Sequence, residues 1–301
     1  MPTDPLARPP RELASAESLS PQPLLTPAEP PPPRPGLVSV LVSCLGQLEY
    51  TRLCVARLLR HAGYPFELIA LDAGSLDGTA AFLAGIQTAA PVRVEVIRTR
   101  TDQGLPAACR EALARARGDY LVLLNNDTLI TADWLGQLVA LARLSPQIGL
   151  VGPMSNHATP PQLVEDVPYR VRWQTPRAAA ADHLVELLDP VFEELDRFAH
   201  TWREQHRGQW LETDRLGGFC LLLKRAVLDR LGPLQAQAGL EVFDTTALCR
   251  QARQAGYTLA VCHDLFVHHC GSRTFAHGGP ALERQGGHTP GAASSLTAGL
   301  P

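Results

Sequence analysis

Several absences narrow the class of this sequence before any motif is considered. No apolar run approaches the roughly 18 residues that a membrane span needs, and no basic-then-apolar pattern opens the chain, so neither a span nor an export signal is expected. Positive charge is not in excess: 27 Lys and Arg stand against 30 Asp and Glu, for a formal net charge of -3, which gives nucleic acid little electrostatic reason to bind. Paired cysteines are missing too. The seven cysteines are odd in number and scattered without a CxxC spacing, which argues against a zinc site or disulfide scaffold and for reduced thiols in a cytoplasmic compartment. No GxGxxG or GxxxxGK[ST] loop follows the first apolar run, which disfavours an unrelated nucleotide-binding enzyme of those two kinds.

What is present is enough apolar sequence for one large domain with tails: 301 residues, 45% hydrophobic and 19% charged. Residues 1–36 are dense in proline and end in "PAEPPPPRPG", which predicts a disordered or polyproline-like leader. Residues 277–301 lack apolar periodicity and read as a loose, disordered tail. Between the tails, "LVSVLVSCL", "FELIALDAGS", "VRVEVIRT" and "DYLVLLNND" read as buried strands, and a segment of helical spacing follows each. Short alternation of this kind predicts a Rossmann-like, mostly parallel α/β sheet flanked by helices.

Ligands of such sheets bind beyond the carboxyl ends of the strands. Polar residues stand there in order: Asp72, Ser75 and Asp77 after the second strand, Asp102 and Gly104 after the third, and Asn125, Asn126 and Asp127 after the fourth. Asp, Asn and Gly are also ordinary turn and cap residues, and Asp77 with Thr79 suits a helix cap. Asp127 closes so apolar a run that a functional role is the better reading.

The middle of the chain places Leu184, Leu188, Val191, Leu195, Phe198 and Trp202 in steps of four and three. That is one apolar stripe, on one helix or on two hinged at Pro190, suited to packing on the sheet as a helical insert over about 159–215. Beyond it come a strand "FCLLLK", a helix, a further helix with Leu248, Ala252 and Ala255 on one face, and a last strand whose polar end holds His263, His268 and His269. A His-His pair after a strand is by itself a weak sign of metal.

Taken in order, "FELIALDAGSLDGT", "GDYLVLLNNDTLITADWL", "IGLVGPMSN", "GGFCLLLKRAVLDRLG" and "AGYTLAVCHDLFVHHCGSRTF" resemble the family 2 glycosyltransferases of GT-A fold, of the rhamnosyltransferase-like and cell-surface polysaccharide kind. The resemblance runs from about Leu37 to Phe275 and implies a GT-A domain over 37–276 with the helical insertion. It implies a UDP-, dTDP- or GDP-linked sugar donor, a carbohydrate or lipid-linked acceptor reached without a transmembrane segment, with peripheral membrane attachment left open, and Mg2+ or Mn2+ against the diphosphate. By the same resemblance Asp72 meets the nucleotide base, Ser75, Asp102, Gly104 and Asn126 line the donor, and Asp127 with His268, or its neighbour His269, lies at the metal.

The family normally begins its acceptor-side helix with consecutive acids, one of them the general base that takes the proton of the attacking hydroxyl. Here the run is Asp244, Thr245, Thr246, Ala247, so Thr245 stands where the base usually stands. Two readings follow: an inverting transferase in which Asp244, or less readily Glu241, does the work after a small shift of register, or a GT-A fold kept as an inactive binding or scaffold module.

Overall fold

A computed structural model describes residues 34–99, 104–171, 184–232 and 245–271. The expected leader and tail lie outside these, apart from Arg34, Pro35 and Gly36, which already belong to the first strand. The chain then alternates as the sequence predicts: β1 (Arg34–Cys44), α1 (Leu48–His61), β2 (Phe66–Asp72), α2 (Thr79–Ala89), β3 (Val94–Arg98), α3 (Gly104–Arg115), β4 (Gly118–Asn125), the short β5 (Thr128–Leu129), α4 (Trp134–Arg143) and β6 (Ile148–Ser155). The second half supplies α5 (Leu184–His206), β7 (Trp210–Thr213), β8 (Cys220–Lys224), α6 (Arg225–Leu231), α7 (Thr245–Gln254) and the long β9 (Thr258–His269).

The strands lie in the order β3-β2-β1-β4-β8-β6-β9-β5, with β7 paired to β9. β3, β2, β1 and β4 are mutually parallel, and β6 pairs parallel with β9, while β8 runs antiparallel between β4 and β6. The sheet is thus mixed but mostly parallel, and both its faces are covered. Alternation along β1 decides which side chain meets which layer. Val38, Val40 and Val42 join Cys54, Val55 and Leu58 of α1 and Trp134 and Leu138 of α4 on one face. Leu41 faces the other layer, with Ala108 and Ala112 of α3, Leu195 of α5, Val227 of α6 and Leu248 of α7. Each fully buried valine or leucine of this set contributes about 1.5–3 kcal/mol.

The insert is not purely helical, because β7 extends the sheet along β9. α5 is one helix of 23 residues that continues through Pro190, so the two-helix alternative does not apply. Its stripe packs on the sheet: Phe192, Leu195 and Ala199 are buried, and Phe198 and Trp202 lie against the same cluster. Polar bonds fix its position. Trp202 Nε1 donates to the His263 carbonyl at 2.7 Å, and Arg57 of α1, which is buried, donates to the Ile130 carbonyl at 2.7 Å while pairing with Asp196 of α5. No helix among the described residues is long and apolar enough to cross a membrane.

Candidate active site

Register brings the strand ends together. Asp72, the last residue of β2, pairs with Cys44 at the end of β1 on one side and with Arg98 at the end of β3 on the other, while Ser43 pairs with Asn125 at the end of β4. Asp72 is fully buried. One carboxylate oxygen accepts the Ser75 amide at 2.8 Å, and the other lies 3.3 Å from Nε of Arg98, whose side chain is 56% exposed. Ser75 Oγ in turn accepts the Gly46 amide at 2.8 Å. Gly46 has φ +67, the left-handed region that glycine enters without steric cost, and this lets the chain turn between β1 and α1.

Asp77 is the bracket of this corner. It accepts the Leu48 amide at 2.9 Å and the Thr79 amide and hydroxyl at 3.2 and 2.7 Å, so it ties the starts of α1 and α2 together. Burial pushes its carboxyl up, but the bonds from Thr79 and Leu48 outweigh that and hold it below its usual value. Asn126 is also turned inward. Its amide donates to the Gly46 carbonyl at 3.2 Å and to Thr51 Oγ1 at 2.8 Å, and the residue is fully buried, so its side chain braces the turn from beneath. Gly104 opens α3, whereas Asp102 and Asp244 lie outside the described residues.

Asp127 occupies the turn between β4 and β5 and is fully buried. β5 pairs antiparallel with the end of β9, placing Thr128 opposite His269, and this carries Asp127 to the imidazole: Oδ1 is 3.3 Å from His269 Nε2. His269 is 5% exposed, stacked on Phe219 with ring centroids 5.3 Å apart and an interplanar angle of 15°. Its Nδ1 lies 2.9 Å from the His157 carbonyl, which can only accept, so Nδ1 carries a proton and Nε2 is the ring nitrogen turned towards the Asp127 carboxylate. An imidazole nitrogen and a carboxylate oxygen brought this close suit a shared cation.

His268 does not take that place. Successive strand residues face opposite ways, so with His269 towards Asp127 its neighbour turns to the other layer, where Nδ1 meets the Tyr169 hydroxyl at 2.9 Å. Burial, then the adjacent His269 and Arg57, lowers the His268 pKa to about 4, which keeps it neutral near pH 7. Of the two neighbouring histidines expected at the metal, His269 faces Asp127 and His268 meets Tyr169. Period-two alternation alone says that only one of the pair can face the site.

Among the described residues no group of three or more His, Cys, Asp or Glu is arranged to hold a metal ion. The donor set here is one carboxylate and one imidazole. That fits a Mg2+- or Mn2+-type ion whose remaining positions are taken by phosphate oxygens and water, and it does not fit a closed structural site. All seven cysteines are free thiols, and none suits a nucleophile: Cys44, nearest the corner, is pushed up to about 12 by burial and then by Asp72.

A mostly parallel sheet of this strand order, with its acids gathered at the carboxyl ends, is the GT-A glycosyltransferase fold. Residues 39–161 match the family model described as glycosyl transferase family 2, a stretch that holds three of the five motifs. Among solved structures, the mannosyltransferase PcManGT from Pyrobaculum calidifontis in complex with GDP-Man and Mn2+ superposes with a TM-score of 0.54 at 20% identity, covering 82% of this chain and 60% of that one. GalNAc-T7 with UDP, GalNAc and Mn2+ does so with a TM-score of 0.54 at 15% identity, covering 81% of this chain and 45% of that one. A Sinorhizobium fredii (strain NBRC 101917 / NGR234) protein described only as uncharacterized protein y4gI is 28% identical over 223 residues, 73% of this chain but 23% of its own length. The chain therefore spans about a quarter of that relative and 60% or less of the two structures.

Proposed function

We propose that the protein is an inverting, cation-assisted glycosyltransferase that moves a sugar from a UDP-, dTDP- or GDP-linked donor to a carbohydrate or lipid-linked acceptor of a surface polymer, acting in the cytoplasm. One observation carries this reading: the Asp127 carboxylate and the His269 imidazole meet at 3.3 Å beside the strand ends of a GT-A sheet. Mg2+ or Mn2+ held by these two residues would offset the negative charge that gathers on the leaving diphosphate. The two structural neighbours support the pairing, since one is in complex with GDP-Man and Mn2+ and the other with UDP and Mn2+.

Asp72 and Ser75, locked to the Gly46 turn, form the nucleoside corner, and Asp102 and Gly104 contribute to binding the donor. Asp244, directly before α7, takes the proton of the acceptor hydroxyl as its oxygen attacks the anomeric carbon opposite the departing diphosphate, so a single displacement inverts the centre. Thr245 at the start of α7 is 8% exposed and has no basic group, which keeps the second reading, a GT-A module that binds its donor without turnover, in play.

Thermal stabilisation of the full chain by UDP, dTDP and GDP, each with and without Mn2+, tests the donor site, because a ligand that binds only the native state raises its melting temperature. A cation-dependent rise with one nucleotide names the donor class. No rise with any of them at millimolar concentration overturns the donor-site reading. Turnover of the matching nucleotide sugar, lost in Asp244→Asn, then separates the transferase from the silent module.

A further inference from the structure

The segment between β6 and the insert is not used by the chemistry above, yet it holds the imidazole in place. Backbone pairing of β6 with β9 ends at Ser155 opposite Val267. Beyond that point the Asn156 side chain takes over the ladder: its Oδ1 accepts the His269 amide at 2.9 Å, and its Nδ2 donates to the His269 carbonyl at 3.1 Å. One side-chain amide thus satisfies both main-chain groups of His269. The next residue, His157, supplies the carbonyl that fixes the ring tautomer, and its own ring stands edge-on to His269 with centroids 5.3 Å apart.

The loop that carries Asn156 is itself braced. The Ser155 amide donates to the Gln162 carbonyl at 2.8 Å and the Val164 amide to the Ser155 carbonyl at 2.9 Å. Gln162, 1% exposed, donates through Nε2 to the Pro153 carbonyl at 2.8 Å and accepts the Gly217 amide at 2.7 Å. Its return path is therefore pinned both to β6 and to the turn that leads into β8.

Resting on the proposed cation site, we propose that Asn156 is a positioning residue: its side-chain amide extends the β6–β9 ladder by holding the His269 backbone, so that Nε2 stays aimed at Asp127. Groups that orient a ligand histidine typically change metal affinity about 10- to 100-fold when removed.

The test uses the full chain with Mn2+ and the nucleotide that stabilises it, read by pulsed electron paramagnetic resonance, in which a coordinated imidazole gives a nitrogen modulation and the diphosphate a phosphorus coupling. The wild type should show both. Asn156→Ala should keep the phosphorus coupling, lose or strongly reduce the nitrogen modulation, and bind Mn2+ roughly tenfold more weakly. Asn156→Asp, which keeps an oxygen for the His269 amide, should fall between the two, and it serves alone if the alanine variant does not fold. His268→Ala should leave the nitrogen modulation in place, and His269→Ala should abolish it. Unchanged modulation and affinity in folded Asn156 variants overturn the positioning role while leaving the cation site intact. Absence of nitrogen modulation in the wild type overturns the His269 assignment itself, and the positioning role with it.

Discussion

Strand β2 carries a buried carboxylate near each end, Glu67 and Asp72, and the protein holds the two in different ways. Glu67 is saturated by donors that are themselves fixed: Ser39 Oγ at 2.7 Å, Arg93 Nη1 at 2.6 Å, and the amide and Nε of Arg117 at 2.7 and 2.9 Å. Burial pushes its carboxyl up, but the bonds from Ser39, Arg117 and Arg93 outweigh it and hold the group below its ordinary range. Asp72 has one backbone donor and a guanidinium that stands mostly in solvent. A buried acid ringed by anchored donors is structure. One whose cation can swing away is placed to meet something else. The amino end of the sheet is built in the first way, and the carboxyl end, with Asp72 and the Asp127–His269 pair, in the second.

Removing the saturated acid should have the largest effect on folding. Glu67→Ala leaves the half-buried guanidinium of Arg117 and that of Arg93 without their shared carboxylate, and breaking a buried ion pair in this way costs about 3–5 kcal/mol. Urea unfolding checks it, and a loss below about 1 kcal/mol would break the comparison. Asp127→Asn should do the reverse. The unliganded melting temperature stays close to wild type, while affinity for the nucleotide with Mn2+ falls about 100-fold, or ~2.8 kcal/mol, by calorimetric titration. A variant that loses stability but keeps its affinity would make Asp127 a second Glu67.

The parallel half of this fold was legible because its signals are local. The apolar runs of β1 and β4 and the helical spacing of α1 and α3 each fit within one element, so periodicity placed them. Asp72 and Asp127 were legible as acids at strand ends. The direction of Asn126 was not legible, because a strand-end asparagine looks the same whether its amide points to the crevice or, as here, inward to Thr51. The choice between His268 and His269 depended on which face of β9 meets Asp127, and the antiparallel pairing with a two-residue β5 decides that. Asn156 was quoted in a motif but carried no role, since its bonds to His269 span 113 positions of sequence. Pairings of that length leave no local trace.

Acid titration sharpens the contrast at a smaller scale. Glu67 releases its proton more readily in the fold than at its unfolded value of 4.5, so as pH falls the unfolded chain takes up a proton first. The stability this gives is complete above pH 4.5 and is lost as pH drops through the lower folded value. Asp77, lowered from 3.8, acts in the same sense further down. Glu67→Gln should therefore flatten the acid limb of a stability-against-pH curve by at most one proton, about 1.4 kcal/mol per pH unit, and lower the plateau above it without changing the slope there. An unchanged limb would mean that Glu67 does not carry it.

The smallest effect belongs to Arg98, and it decides what the exposed cation over Asp72 does. An ion pair with one partner mostly in water contributes about 0–1 kcal/mol, so Arg98→Ala should leave the melting temperature almost unmoved. Nucleotide binding then separates two roles. If Arg98 only screens the Asp72 carboxylate until a ligand displaces it, affinity stays within about threefold of wild type, because little interaction is lost in the complex; an RT of 0.59 kcal/mol makes that about 0.6 kcal/mol. If affinity falls tenfold or more while stability holds, the guanidinium stays and grips the ligand. The carboxyl end of the sheet would then recognise its nucleotide through a cation as well as through acids.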